Sequence, residues 1–172
     1  MTDFRLQQQL GATHNQDAET ASHIRLSEQQ VISKFVSERT RAAWPCVQVE
    51  LEPFVAHVAS ILDRSLPLDQ ALAQMSIEDL FLAYACSQQN SGALAAFTRE
   101  FETELNVVCA RFRVGRDDLD DIRQSLWNKL FIPCGESPPV ISKYSGQGQL
   151  RHWFRTAASS TACCGSSTVS FR

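Results

Sequence analysis

Apolar residues recur at steps of three and four along most of this chain, which places them on one face of successive α-helices. Ser27-Glu28-Gln29-Gln30 has the form of a capping box, and Val31, Phe35 and Val36 then mark a stripe that runs to Trp44-Pro45. Val47–Leu51 alternates with polar residues, but it is short and reads as a linker. Pro53 suits a first helical position, and Phe54, Val58, Ile61 and Leu62 give a second face ending at Pro67. Leu68–Met75 is a short helical piece or a loop. Ser76-Ile77-Glu78-Asp79 is another capping signal, after which Ile77, Leu80, Phe81, Tyr84 and Ala85 follow at helical spacing. Gln88–Gly92 breaks that helix by turn chemistry.

The longest amphipathic run is Leu94, Phe97, Phe101, Leu105, Val108 and Phe112, and it stops at Gly115. Asp117–Phe131 is the next helix. Leu119, Ile122, Leu126 and Leu130 share one face, and four acids sit at its front, where the free N–H groups and the helix dipole favour them. Pro133 and Pro138-Pro139 stop it. Gly146 and Gly148 let a loop bend tightly before a last helix bearing Leu150, Trp153, Phe154 and Ala157 on one side. Neither a strand nor an internal repeat is evident. The expectation is an all-α bundle in which 76–89, 91–114, 117–132 and 148–160 pack together, with residues 21–75 as a helical extension that caps it or forms a companion lobe. Residues 1–20 lack periodicity and are predicted to be a disordered arm. From Ser159 the chain is small, polar and poor in helix formers, so fraying is expected, with 161–172 a disordered tail.

Composition narrows the function classes. Of 172 residues 44% are hydrophobic, enough for a core, yet no eighteen-residue apolar run is present, so no membrane partner is expected. The first seventeen residues are polar and glutamine-rich, without the apolar region of a signal peptide, which predicts a cytoplasmic protein. The six cysteines (Cys46, Cys86, Cys109, Cys134, Cys163 and Cys164) have no Cys-x-x-Cys spacing, and Cys86 and Cys109 read as small core side chains. His14, His23, His57 and His152 are isolated, so no metal site is expected. Gly146-x-Gly148 lacks the third glycine of a dinucleotide fingerprint, because Arg151 stands there. With no phosphate-binding loop and no nucleophile elbow, neither catalytic residues nor a cofactor is expected, and the chain reads as a non-enzyme. Net charge is −3, but it is unevenly spread. Residues up to Glu136 carry 12 Lys+Arg and 19 Asp+Glu, whereas Ser137–Arg172 has four basic residues and no acid. An acidic body with a basic end suits a protein on one side and phosphate on the other; the alternative is chance.

Asp121-Ile122-Arg123-Gln124, then Tyr144, Gly146, Gly148, Leu150, Trp153 and Ala157-Ala158, match in order and spacing an acidic helix followed by an aromatic-x-Gly-x-Gly/Ser-x-Leu/Phe-x-x-Trp segment. Over about forty residues this resembles region 2 of a bacterial RNA polymerase sigma factor of the sigma-70 family. Arg41-Ala42-Ala43-Trp44-Pro45 and Asp79-Leu80-Phe81-Leu82-Ala83 further resemble an extracytoplasmic-function-like group found in myxobacteria. The resemblance implies a helical bundle of sigma region 2 type with extra N-terminal helices. It also implies a transcription initiation role, with the polymerase core and promoter DNA as partners and an anti-sigma factor as a further one. Two departures are evident. The family often has Glu where Ser125 stands, and its last helix commonly continues with an Asn and basic residues towards a second DNA-binding domain, region 4. Neither follows Ala158, which raises the expectation of a truncated or frame-shifted chain.

Asp120, Gln124, Trp127 and Phe131 form a second ridge beside the core ridge of their helix. By resemblance this helix would meet the clamp helices of the large polymerase subunit, with Asp121 and Gln124 as polar contacts. The competing reading keeps Trp127 and Phe131 in the core and leaves the acids to the helix start. On the last helix Arg151 and Arg155 lie four apart with His152 nearby, and Lys143, Tyr144 and Gln147 occupy the approach loop. Basic groups hold phosphates and aromatic rings stack on unpaired bases. By resemblance this segment, with Trp153, would touch the non-template strand of the minus-ten element. Burial of Trp153 and solvation of both arginines are the alternative. Two rival functions remain open: a remnant that binds core without initiating, and a helical protein-interaction adaptor.

Overall fold

The computed structural model describes residues 27–111, 119–135 and 137–165, with side chains as far as residue 160. The predicted N-terminal arm, Phe112, the acids Asp117 and Asp118, and residues 166–172 therefore lie outside the described residues. The fold is all-α. Helix α1 (27–43) is followed by α2 (Leu51–Ile61), α3 (Leu68–Gln74), α4 (Ile77–Ser87), α5 (Ser91–Arg111) and α6 (Leu119–Phe131), a 3₁₀ turn (Val140–Lys143), and α7 (Leu150–Gly165). Among the described residues there is no strand, only the isolated bridges Met75–Gln147 and Cys134–Ser137. No described helix is long and apolar enough to cross a membrane.

Most of the apolar stripes fall inward as their spacing predicts, except that Val31 at the start of α1 is 53% exposed and Ile32 takes the buried place beside Val36. Phe54 and Val58 on α2, Leu80 and Phe81 on α4, Phe97 and Phe101 on α5, Ile122, Leu126 and Leu130 on α6, and Leu150 and Phe154 on α7 are all buried. One core runs from Ile32 to Ala158. The N-terminal helices thus cap the bundle: the Phe54 ring meets Phe81 edge-on at 5.2 Å, the Trp44 indole N–H donates to the Glu78 carbonyl at 2.9 Å, and Arg39 pairs with Glu78 at 3.2 Å. Cys86 and Cys109 are core residues, as expected, and burial pushes the Cys86 thiol up to about 12.

Several boundaries differ from the sequence reading. Helix α2 begins at Leu51, so Pro53 is the third helical residue, a place where the missing N–H still costs nothing because the first turn has no partner for it. Of the two readings left open for Leu68–Met75, the helical one holds, over Leu68–Gln74. Helix α7 does not fray at Ser159 but continues to Gly165. The hydroxyls of Thr156 and Ser160 donate to the carbonyls of His152 and Thr156, four residues back, which satisfies them without opening the helix. At the α4–α5 corner Gln89 has a positive φ of 58° and its amide donates to the Phe131 carbonyl at 2.5 Å. Asn90 caps α5 by accepting from the Ala93 N–H at 3.0 Å.

Candidate interaction face on α6 and α7

An aromatic hub sets the two predicted contact helices side by side. Phe97 of α5 stacks on Phe101 at 4.3 Å and meets Phe131, Phe154 and Trp127 edge-on at 5.2, 5.6 and 6.1 Å. Trp127 of α6 in turn lies 6.0 Å from Phe154 of α7. The large rings thus lock α5, α6 and α7 into one unit, since aromatic pairs add to their area burial only when this geometry is held.

On α6 the hub divides the predicted ridge. Asp120, Asp121 and Gln124 are exposed, Trp127 is half-buried, and Phe131 is buried. Phe131 is therefore a correction: its ring packs against Phe97 and its carbonyl takes the Gln89 amide, so it offers no surface to a partner. Arg123, one turn in, pairs with Asp120 at 3.0 Å and with Glu102 of α5 at 3.6 Å, which ties the start of α6 to α5.

The loop before α7 is built by its glycines. Gly146 and Gly148 both have φ of 74°, which a side chain rarely adopts, and the Gly146 carbonyl accepts the Ser76 N–H at 2.9 Å. Tyr144 is a second correction. It is 3% exposed, and its hydroxyl donates to the Gly148 carbonyl at 2.6 Å, so the ring braces the loop instead of facing solvent. Burial pushes its phenol up, with the Asp79 carboxylate adding to the effect. Trp153 is half-buried and meets Tyr144 edge-on at 5.9 Å. Lys143, Gln147 and His152 are exposed. Gln147 and Gly148 line a cleft of about 300 Å³ with Asp63, Met75 and Ser145.

Three acids outside the predicted contact set, Asp79, Glu100 and Glu104, hold α7 in place. Asp79 of α4 accepts the Leu150 N–H at 2.8 Å and so caps α7 from 71 positions away. Burial raises its carboxyl above the usual aspartate range, against the pull of the Leu150 N–H and Arg151. The capping signal at Ser76–Asp79 was thus half right: α4 does start at Ile77, yet the Ser76 side chain makes no cap bond and Asp79 serves another helix. On the opposite side Arg151 pairs with Glu100 at 3.4 Å and Glu104 at 3.2 Å, and Arg155 with Glu104 at 2.7 Å. The Glu104 side chain is only 9% exposed, whereas Arg151 and Arg155 remain 47% and 45% exposed. Arg155, foremost, with Arg151 and His152 behind it, holds the Glu104 carboxyl below the usual range despite its burial. One signal for this was present in the sequence: Glu100/Glu104 and Arg151/Arg155 share a four-residue step, the spacing of facing ladders on two packed helices.

Among the described residues no group of His, Cys, Asp and Glu could hold a metal ion. The basic end seen along the sequence is partly cancelled in space, because two of its basic residues face α5 acids. No family model, no curated protein and no solved structure matches this chain.

Proposed function

We propose that the chain is a sigma factor-like transcription initiation protein of the extracytoplasmic-function-like kind, acting in the cytoplasm. It would grip polymerase core through the clamp helices of the large subunit and lay the minus-ten element of promoter DNA along the start of α7. The observation that supports this reading is the juxtaposition of two rods through Trp127 and Phe154 at 6.0 Å. One rod leaves Asp120, Asp121 and Gln124 in solvent, and the other, with its loop, leaves Lys143, Gln147 and His152 there. Burial removes Phe131 and Tyr144 from the contact set, because extracting either ring would forfeit roughly 1.5–3 kcal/mol of burial. Arg151 and Arg155 stay in it: their side chains are about half exposed although Glu104 is not, so a phosphate can reach them and compete with the carboxylates. An anti-sigma factor would compete for the same α6 face.

The test is capture of polymerase core by the intact chain and by Asp121→Ala and Gln124→Ala, which sit on the exposed side of α6 and leave the core untouched. Capture lost in both variants supports the reading, and no capture by the intact chain refutes it. In-vitro transcription then separates an initiating protein from a remnant that binds core without starting transcripts. The engagement of both arginines by α5 favours a second reading, a helical protein-interaction adaptor without a DNA role. That reading requires Lys143→Ala and Arg151→Ala to leave nucleic-acid affinity unchanged.

A further inference from the structure

We infer that Glu100 and Glu104 form an intramolecular latch that occupies the α7 arginines in place of phosphate, so that nucleic acid binds there by exchange with α5 and not by simple capture. The inference rests on the proposed DNA-facing role of α7 and names how that face is controlled. Its basis is geometric. Glu104 is nearly enclosed yet reaches both arginines, at 3.2 and 2.7 Å, and Glu100 takes the remaining side of Arg151 at 3.4 Å. Two carboxylates thus present to two guanidinium groups the oxygens that two successive phosphates would present. The aromatic hub fixes α5 against α7, through Phe101 and Phe154 at 5.1 Å, so the acids cannot drift away. The arginines, about half exposed and on long stems, are the members that can swing outward. Asp79 of α4 also acts on Arg151, and His152 of α7 acts on Glu104, so the balance at the latch includes both.

The exchange leaves a mark on salt dependence. A phosphate that meets a free arginine releases its counterion, which gives a slope of about −0.7 per contact on single strands. A phosphate that displaces a carboxylate also releases a counterion, but salt screens the competing Arg–Glu pairs as well, so affinity falls less steeply with salt. The intact chain should therefore show a shallow slope.

Fluorescence anisotropy of the full chain with an AT-rich single-stranded oligonucleotide, over a salt series, tests this. Glu100→Gln/Glu104→Gln should tighten binding by about 3- to 150-fold, the range set by three ion pairs at half-exposed arginines, and steepen the slope by up to about 1.4. The gain should vanish when Arg151→Ala/Arg155→Ala is added. Glu100→Gln alone, at a half-exposed side chain, should give a smaller gain without any effect on folding, which circular dichroism checks. If Arg151→Ala/Arg155→Ala weakens the intact chain while Glu100→Gln/Glu104→Gln changes nothing, the latch is wrong and the DNA-facing role stands. A gain that survives loss of both arginines also overturns the latch, since it is then only a change of net charge. If neither the intact chain nor the glutamine variant binds, the DNA-facing role and the latch both fall.

Discussion

Asp79 is the residue on which the placement of α7 turns, and replacing it gives a sharp test. Its carboxylate is the cap of a helix that begins 71 residues later, at 2.8 Å from the Leu150 N–H. In Asp79→Ala that N–H loses its acceptor in a part-buried position, and an N-cap loss costs about 0.5–2 kcal/mol. Burial works against the ionised carboxylate, so the charge adds nothing to the expectation, which stays at about 0.5–2 kcal/mol. For a chain of this size that is a fall in Tm of roughly 1–8 °C. Asp79→Asn keeps an oxygen acceptor, and asparagine caps about as well as aspartate, so its loss should stay within about 0.5 kcal/mol. The pH dependence has a definite sign. Because burial raises the folded-state pKa of Asp79, its contribution is complete below the ordinary value of 3.8 and declines as pH rises through the folded value. Asparagine does not ionise, so the stability of Asp79→Asn relative to the parent should improve from about pH 3 to pH 7. Thermal unfolding by circular dichroism at several pH values reads all three quantities. Equal melting of Asp79→Ala and the parent, or Asp79→Asn as damaged as Asp79→Ala, would refute the cross-chain cap.

Other perturbations follow from the same contacts. Gly146→Ala and Gly148→Ala both force a side chain into φ of 74°, but a Cβ at 146 would also lie 3.3 Å from Leu80 and Met75 while one at 148 meets nothing within 4 Å. Urea denaturation should show a loss of about 1–2 kcal/mol for Gly148→Ala and a larger one for Gly146→Ala; equal losses would count against the packed loop. Phe97→Ala empties the centre of the aromatic hub and should cost about 3–5 kcal/mol by the same measurement, with a loss under about 1 kcal/mol contradicting the described packing. The depressed Glu104 carboxyl contributes stability above its ordinary value of 4.5, and loses it as pH falls through the folded value. The gap between the parent and Glu104→Gln should therefore close in acid, and a gap independent of pH would show that the ion pairs add nothing.

Local periodicity made the helices legible, and through-space pairing was what it could not supply. The stripe Leu119, Ile122, Leu126 and Leu130 packs inward because a 3.6-residue period fixes which side chains share a face, with Leu119 only partly covered at its outer end. The positive φ of Gly146 and Gly148 was likewise legible, since glycine is the residue that tolerates it. Phe131 was misplaced by the helical wheel because it lies in the last turn, where the α4–α5 corner with Gln89 closes over the side of the helix that the wheel leaves open. Tyr144 belongs to a loop, where no period applies, and its hydroxyl finds a carbonyl four residues on. The partners of Asp79 and Glu104 were out of reach of local periodicity for a common reason: Leu150 lies 71 residues from Asp79, and Arg151 and Arg155 lie about fifty from Glu104.

These pairings change what the charge distribution means. Along the sequence the four basic residues after Ser137 look unopposed, and a surface of that kind would attract any polyanion. In the folded chain Arg151 and Arg155 face Glu100 and Glu104, so nonspecific attraction at α7 is damped. Lys143, Gln147 and His152 stay outward around a loop whose shape is fixed by two glycines and the buried Tyr144. Under the proposed function, first contact therefore falls to the loop, and the arginines join only once a phosphate is held close enough to outcompete a carboxylate. An order of this kind favours a strand already positioned by the partner bound at α6, because a local phosphate concentration raised by docking is what drives the exchange. Polymerase grip on one rod and strand binding on the other would then be coupled without any movement of α6 against α7.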